Sequence, residues 1–109
     1  MIKVLLVDDH ELVRTGIRRI LEEAYDMDVV AEASNGDEAL RKAQQVQPDV
    51  VLMDLNMPGI GGIEATRRIV RSVPEAKVIA LTVLDDDPFP AKLNEAGAMG
   101  YLTKGCPAD

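Results

Sequence analysis

Tryptophan is absent, and the aromatic complement is two tyrosines and one phenylalanine. So few flat side chains leave little to stack on a flavin ring, which counts against a flavin-binding module. Cysteine occurs once, at Cys106, and a lone thiol excludes an internal disulfide. That usage fits a reducing cytoplasm, where we expect the chain to reside. No apolar run is long enough to cross a bilayer, so no membrane association is expected. Met1-Ile2-Lys3 leads straight into a strand-like run, so the start does not read as a signal peptide. Basic residues are in the minority, 12 against 19 acidic, for a formal net charge of −7. A surplus of that sign opposes a grip on nucleic acid by this chain itself. What is present is 109 residues, 47% hydrophobic and 28% charged, enough for one globular domain with its own core.

The stretch that organises the chain is Val50-Val51-Leu52-Met53-Asp54-Leu55-Asn56-Met57-Pro58-Gly59. An apolar run carries one carboxylate and a turn follows it. Asp is depleted in strands, and an unpaired buried charge is costly. Asp54 therefore calls for a cation beside it or a strand end open to solvent. Asp8 and Asp9 likewise follow an apolar run, Val4 to Val7.

Strands are expected over Lys3–Val7, Met27–Ala33, Val50–Leu55, Lys77–Thr82 and Met99–Leu102. Helical patterns fall between them. In Glu11–Glu23, Val13, Ile17, Ile20, Leu21 and Ala24 share one face, and Arg14, Arg18, Arg19 and Glu22 the other. Asn35 with Glu38 three residues on resembles a capping box, opening a helix that Pro48 bars from continuing. A third helix runs from Ile63 to Ser72, with Ile63, Ile69, Val70 and Val73 inward. A loop over Leu84–Pro90 leads to a short fourth helix ending near Ala96, with Gly97 as terminator. Pro107 with Asp109 behind it reads as the start of a fifth helix, truncated here. Near-continuous apolar strands indicate a parallel sheet covered on both faces. The expected fold is α/β, flavodoxin-like and doubly wound: five parallel strands in the order 2-1-3-4-5 over residues 1–109.

In such folds ligands bind beyond the carboxyl ends of the strands, where the strand order switches. Asp8, Asp9, Asp54, Thr82 and Lys104 all fall at or just past such ends. Three carboxylates in one cleft repel one another, so either one stays protonated or a cation sits among them. Oxygen ligands without a histidine favour Mg²⁺ or Mn²⁺ over zinc. Lys104 adds a point charge and Thr82 a hydroxyl. Around one carboxylate, that set suits the stabilisation of a transferring phosphoryl group, with Asp54 as nucleophile. Each feature has a plainer reading too. Asp8 and Asp9 alone read as helix caps, His10 as a solvated helix-start residue, and Asp85-Asp86-Asp87 as a solvated loop.

Taken together, the motifs around Asp8-Asp9-His10, Asp54-Leu55-Asn56-Met57-Pro58-Gly59, Leu81-Thr82 and Gly100-Tyr101-Leu102-Thr103-Lys104-Gly105 resemble the receiver domain of a two-component response regulator, over essentially the whole chain. The first and last of them are similar to the NarL/FixJ branch, and the loop Asp86-Asp87-Pro88-Phe89-Pro90 is most like its GacA/UvrY group. The resemblance implies that Asp54 accepts a phosphoryl group from a sensor histidine kinase. It implies that Asp9 and Asp54 ligate Mg²⁺ with the backbone oxygen of Asn56, Asp8 acting mainly through water. Thr82 and Lys104 would contact the phosphoryl oxygens, and Thr82 and Tyr101 would carry the conformational switch. It also implies a DNA-binding output domain beyond this chain, and a homodimer through the first and fifth helices that loss of the fifth would weaken. Such a domain is a phosphoacceptor and not an enzyme acting on a separate substrate.

Two positions depart from the common receiver pattern. Gly105 stands where many receivers have proline after the lysine, and Val83 where many have a small residue after the threonine. We expect Val83 to slow access of water and small phosphodonors to Asp54. Unchanged phosphorylation and dephosphorylation rates in Val83→Ala would refute that. The alternative function is a metal-dependent phosphatase with an aspartyl nucleophile. Those enzymes usually carry a second Asp two residues after the nucleophile, and Asn56 holds that position here.

Overall fold

Alternating strands and helices emerge directly from the hydrophobic pattern. The computed structural model describes residues 1–54, 61–82, 97 and 100–103. In chain order these form β1 (Ile2–Val7), α1 (Glu11–Glu23), β2 (Met27–Ala33), α2 (Gly36–Val46), β3 (Val50–Asp54), α3 (Gly61–Ser72), β4 (Lys77–Thr82) and β5 (Gly100–Thr103). The strands make one parallel sheet in the order β2-β1-β3-β4-β5, as expected. The direction of winding reverses between β1 and β3.

Why the strands carry apolar residues on both faces is visible in β1. Side chains alternate across a strand, and here both faces are covered. Leu5 and Val7 pack with Ala39 and Ala43 of α2 and with Ala65 and Ile69 of α3. Val4 and Leu6 turn the other way, into a cluster that Ile17 and Leu21 of α1 join. Alanine at the α2 and α3 contact positions lets those helices lie close to the sheet. At the edge opposite the strands' carboxyl ends, Asp49 ties the sheet together. Its Oδ2 accepts from the Lys3 amide at 2.8 Å, and its carbonyl accepts from the Lys77 amide at 3.0 Å.

Local chemistry sets the helix ends. Asn35 Oδ1 accepts from the Glu38 amide at 2.8 Å, and Glu38 Oε1 reaches back to the Ser34 amide at 2.7 Å. This is the expected reciprocal cap, shifted by one residue, because the glutamate bonds the residue before the cap rather than the cap itself. Asn35→Ala is expected to cost about 1 kcal/mol, read from the urea midpoint. The Ser34 amide is the main reason the Glu38 carboxyl is held below its ordinary range. That part of the stability is present above the ordinary carboxylate range. It is lost as the pH falls through the depressed value, so Glu38→Gln should flatten the acid side of a stability–pH curve. At its other end α2 stops on Gln47, at φ +50°, before Pro48. Gly97 has φ +104°, and a Cβ there would meet Val70 Cγ1 at 3.0 Å. The expectation that it terminates a fourth helix falls on residues outside those described.

Three expectations shift. First, α3 begins at Gly61, two residues early, where φ is +79° and glycine is unstrained. The buried Thr66 hydroxyl donates to the Gly62 carbonyl at 2.7 Å, securing that first turn. Second, β5 sits one residue later than expected. Third, the inward face of α1 is rotated. Ile17 and Leu21 meet the sheet, but Val13 is 37% and Ile20 68% exposed, and Arg14 of the supposed outer face is partly buried. Arg14, Ile17, Arg18 and Leu21 follow the i, i+3, i+4, i+7 spacing of one stripe. The apolar stripe was wide enough to be read one column off. Leu55, the Pro58-Gly59 turn, the Leu84–Pro90 loop, the fourth helix and the fifth-helix start lie outside the described residues.

Candidate functional site

Because β1 pairs with β3 in a register that sets Val7 against Met53, the residue after β1 and the last residue of β3 emerge side by side. These are Asp8 and Asp54, both fully buried. Asp9 follows, 27% exposed at its side chain. Asp8, Asp9, His10 and Asp54 each place a potential ligand atom within 4.8 Å of the others. The cluster lies at the switch in winding between β1 and β3, where the fold leaves a crevice. On the far side of β3, Asp54 pairs in register with Leu81, so Thr82 ends β4 one step further on. Thr82 in turn pairs with Thr103 at the end of β5, and Tyr101 pairs with Ala80. Lys104, Asn56 and Val83 lie outside the described residues.

The turn that presents the acids is built by its own polar groups. Asp8 Oδ1 accepts from the His10 amide at 2.9 Å, and the Asp8 amide donates to the Ala33 carbonyl at 3.0 Å. Arg14, one helical turn past His10, reaches back to donate from Nη1 to the Asp8 carbonyl at 2.7 Å. Its Nε donates to Glu32 Oε1 at 2.9 Å, and Arg18 pairs with the other oxygen of Glu32. A β2 carboxylate thus clamps the arginine that holds the end of β1. Beside this clamp lies a cavity of about 250 Å³ lined by Arg14, Glu32, Ala33, Ser34, Glu38 and Lys42. Its charged groups pair among themselves.

A cation fits the acid cluster. The carboxylates supply hard oxygen donors, and Asp9 Oδ1 is shut off from solvent while accepting no hydrogen bond. A buried carboxylate oxygen left in that state costs free energy that a bound cation would recover. His10 caps the start of α1 with its side chain 68% exposed, as expected for a solvated helix-start residue. The His10 imidazole lies at the cluster, with Nδ1 3.1 Å from Asp9 Oδ1 and 3.6 Å from Asp8 Oδ1. Sequence reading also set Arg14 on the solvent face. The available signal was position: His10 directly follows the acids, and Arg14 stands four residues beyond it.

A doubly wound parallel sheet with acids at its switch point defines a class of small α/β domains, and comparison with known proteins gives the family. The response regulator receiver domain model matches residues 4–109. The chain belongs to that family: it is a receiver domain of a two-component response regulator. It is 60% identical over 105 residues to the response regulator GacA of Pseudomonas syringae pv. syringae (strain B728a), covering 96% of this chain and 49% of that protein. It is equally 60% identical over 105 residues to the response regulator UvrY of Escherichia coli (strain K12), covering 96% and 48%. The chain thus spans about half the length of the curated relatives it matches. A LuxR-family two-component response regulator from Aurantimonas sp. SI85-9A1 superposes with a TM-score of 0.91 at 45% identity, covering 96% of this chain and 75% of that one. These relatives are regulators, which leaves the phosphatase alternative without support. Among the described residues no helix is long and apolar enough to cross a membrane.

Proposed function

We propose that Asp54 is the phosphoacceptor of this domain and that a sensor histidine kinase is its phosphodonor. The observation that supports this most is the burial of Asp54 at the end of β3, with Asp8 and Asp9 brought to it from the next strand. An Asp54 carboxylate oxygen attacks the phosphorus, a new O–P bond forms, and the P–N bond to the donor imidazole breaks. The electron pair of that bond leaves with the imidazole nitrogen. Asp8, Asp9, Asp54 and the Asn56 backbone oxygen would hold Mg²⁺ (or Mn²⁺), which when bound neutralises charge on the phosphoryl oxygens. Thr82 and Lys104 would bind the same oxygens by a hydroxyl and an ammonium group. The domain acts as a self-modifying acceptor and not as an enzyme with a separate substrate.

The phosphoryl group adds charge and three acceptor oxygens. Thr82 would follow it, and Tyr101 would move into the space released. The whole protein would carry a DNA-binding output domain beyond this chain, would dimerise through its first and fifth helices, and would work in the cytoplasm. A fragment without the fifth helix would dimerise less tightly. Intact mass after incubation with acetyl phosphate tests the reading. One added phosphoryl group is expected with Mg²⁺ and none with a chelator. Equal labelling in both would refute the metal role, and no labelling of the folded domain would refute the acceptor role.

A further inference from the structure

The imidazole at the acid cluster has no part in the scheme above. Its backbone is held at both ends: the His10 amide donates to Asp8 Oδ1 at 2.9 Å, and its carbonyl accepts from the Arg14 amide at 2.9 Å. Only the side-chain torsions are left free, and they bring Nδ1 to 3.1 Å from Asp9 Oδ1 and 3.6 Å from Asp8 Oδ1. The closer contact lies within ion-pair distance but makes no hydrogen bond, and Asp9 Oδ1, which solvent does not reach, accepts none. Ligand atoms about 2.05 Å from a shared zinc ion stand roughly 3.3 Å apart in a tetrahedral shell and roughly 2.9 Å apart in a cis-octahedral one. The two separations at His10, 3.1 and 3.6 Å, stand on either side of the tetrahedral value. The ring is 68% exposed, so small adjustments of it meet no packing resistance.

We propose that His10 Nδ1 is a ligand for borderline divalent ions such as Zn²⁺ at this site. This rests on the reading that the acid cluster binds a cation. Mg²⁺ prefers oxygen ligands in near-octahedral geometry and keeps several waters, so it gains little from an imidazole. Zn²⁺ takes nitrogen and carboxylate oxygen together and is content with four ligands, which Asp8, Asp9, Asp54 and His10 can supply. The imidazole therefore sets the ion preference of a pocket that would otherwise be all oxygen. Zn²⁺ becomes a competitor for the place where Mg²⁺ serves phosphoryl transfer. On binding, Nδ1 gives its lone pair to the ion and the ring proton resides on Nε2.

His10 is the chain's one histidine, so its ring resonances are unambiguous. Zn²⁺ and Mg²⁺ are titrated separately into the isotope-labelled domain, in a Cys106→Ser background so that the thiol does not compete. Zn²⁺ is expected to shift the His10 ring nitrogens to the pattern of an Nδ1-bound, Nε2-protonated imidazole, together with the Asp9 amide. His10→Ala should weaken Zn²⁺ binding by at least about tenfold, while Mg²⁺ binding changes by less than about twofold. The unchanged Mg²⁺ affinity also reports that the variant has folded. If Zn²⁺ moves the Asp9 amide but leaves the ring nitrogens in place, and His10→Ala binds it equally well, the inference is overturned and the acid site stands. If neither ion moves any resonance near Asp8, Asp9 and Asp54, the cation reading itself fails and takes the inference with it.

Discussion

Asp54→Ala is expected to abolish phosphoryl uptake from acetyl phosphate and to remove most of the stabilisation that Mg²⁺ confers. Both losses follow from one position. Asp54 is fully buried at the carboxyl end of β3, and it alone of the three acids belongs to a strand of the sheet. The strand fixes its backbone, so the carboxylate is delivered to the crevice without the entropy cost of ordering a loop residue. A ligand that binds the folded state at a hundred times its dissociation constant adds about 2.7 kcal/mol to the free energy of unfolding. Urea unfolding with and without Mg²⁺ should show a gain of that order in the parent domain and a much smaller one in Asp54→Ala. An equal gain in both would place the cation elsewhere.

Leu5→Ala is expected to cost about 3 kcal/mol, while Leu12→Ala should stay within about 0.5 kcal/mol. The two substitutions remove the same atoms. Leu5 is fully buried in β1, an interior strand of the sheet, within the core cluster to which α2 and α3 both contribute. Leu12 is 87% exposed near the start of α1. Truncating Leu5 removes apolar contacts and leaves a cavity that two helices and a sheet cannot collapse to fill. For a domain of this size the Leu5 loss corresponds to a fall in Tm on the order of 15 °C. Calorimetry of the two variants side by side checks it. Similar Tm values for both would mean that α2 and α3 do not close on β1 as described.

The parallel sheet was legible because each strand is short, carries a run of apolar residues with few polar interruptions, and is followed by a polar residue or turn. That pattern has few other folded solutions. Asp8, Asp9 and Asp54 were legible for a related reason: a carboxylate at the end of a buried strand is expensive unless it is used. The α1 face was not legible. Apolar residues at 13, 17, 20, 21 and 24 span a stripe wider than the contact the sheet makes, and periodicity alone does not say which edge of it turns inward. Arg14 was misplaced for the same reason, although its long apolar stem lets it lie along the sheet and deliver its guanidinium to the Asp8 carbonyl. His10 was read by residue type and passed over. Its place depends on the path of the turn, which the Asp8 side chain sets by accepting the His10 amide. The left-handed end of α2 at Gln47 carried no glycine to announce it.

In the proposed function one carboxylate, Asp54, carries the phosphoryl group. Borohydride treatment of the acetyl phosphate-labelled domain, followed by peptide mass spectrometry, tests it most directly. Hydride attacks the acyl carbon of an aspartyl phosphate, phosphate leaves, and the residue is reduced to homoserine. Homoserine is expected at position 54 in the Mg²⁺-treated sample, with Asp8 and Asp9 intact. Homoserine at position 8 or 9, or a phosphoryl group retained on His10 with Asp54 unmodified, would contradict it.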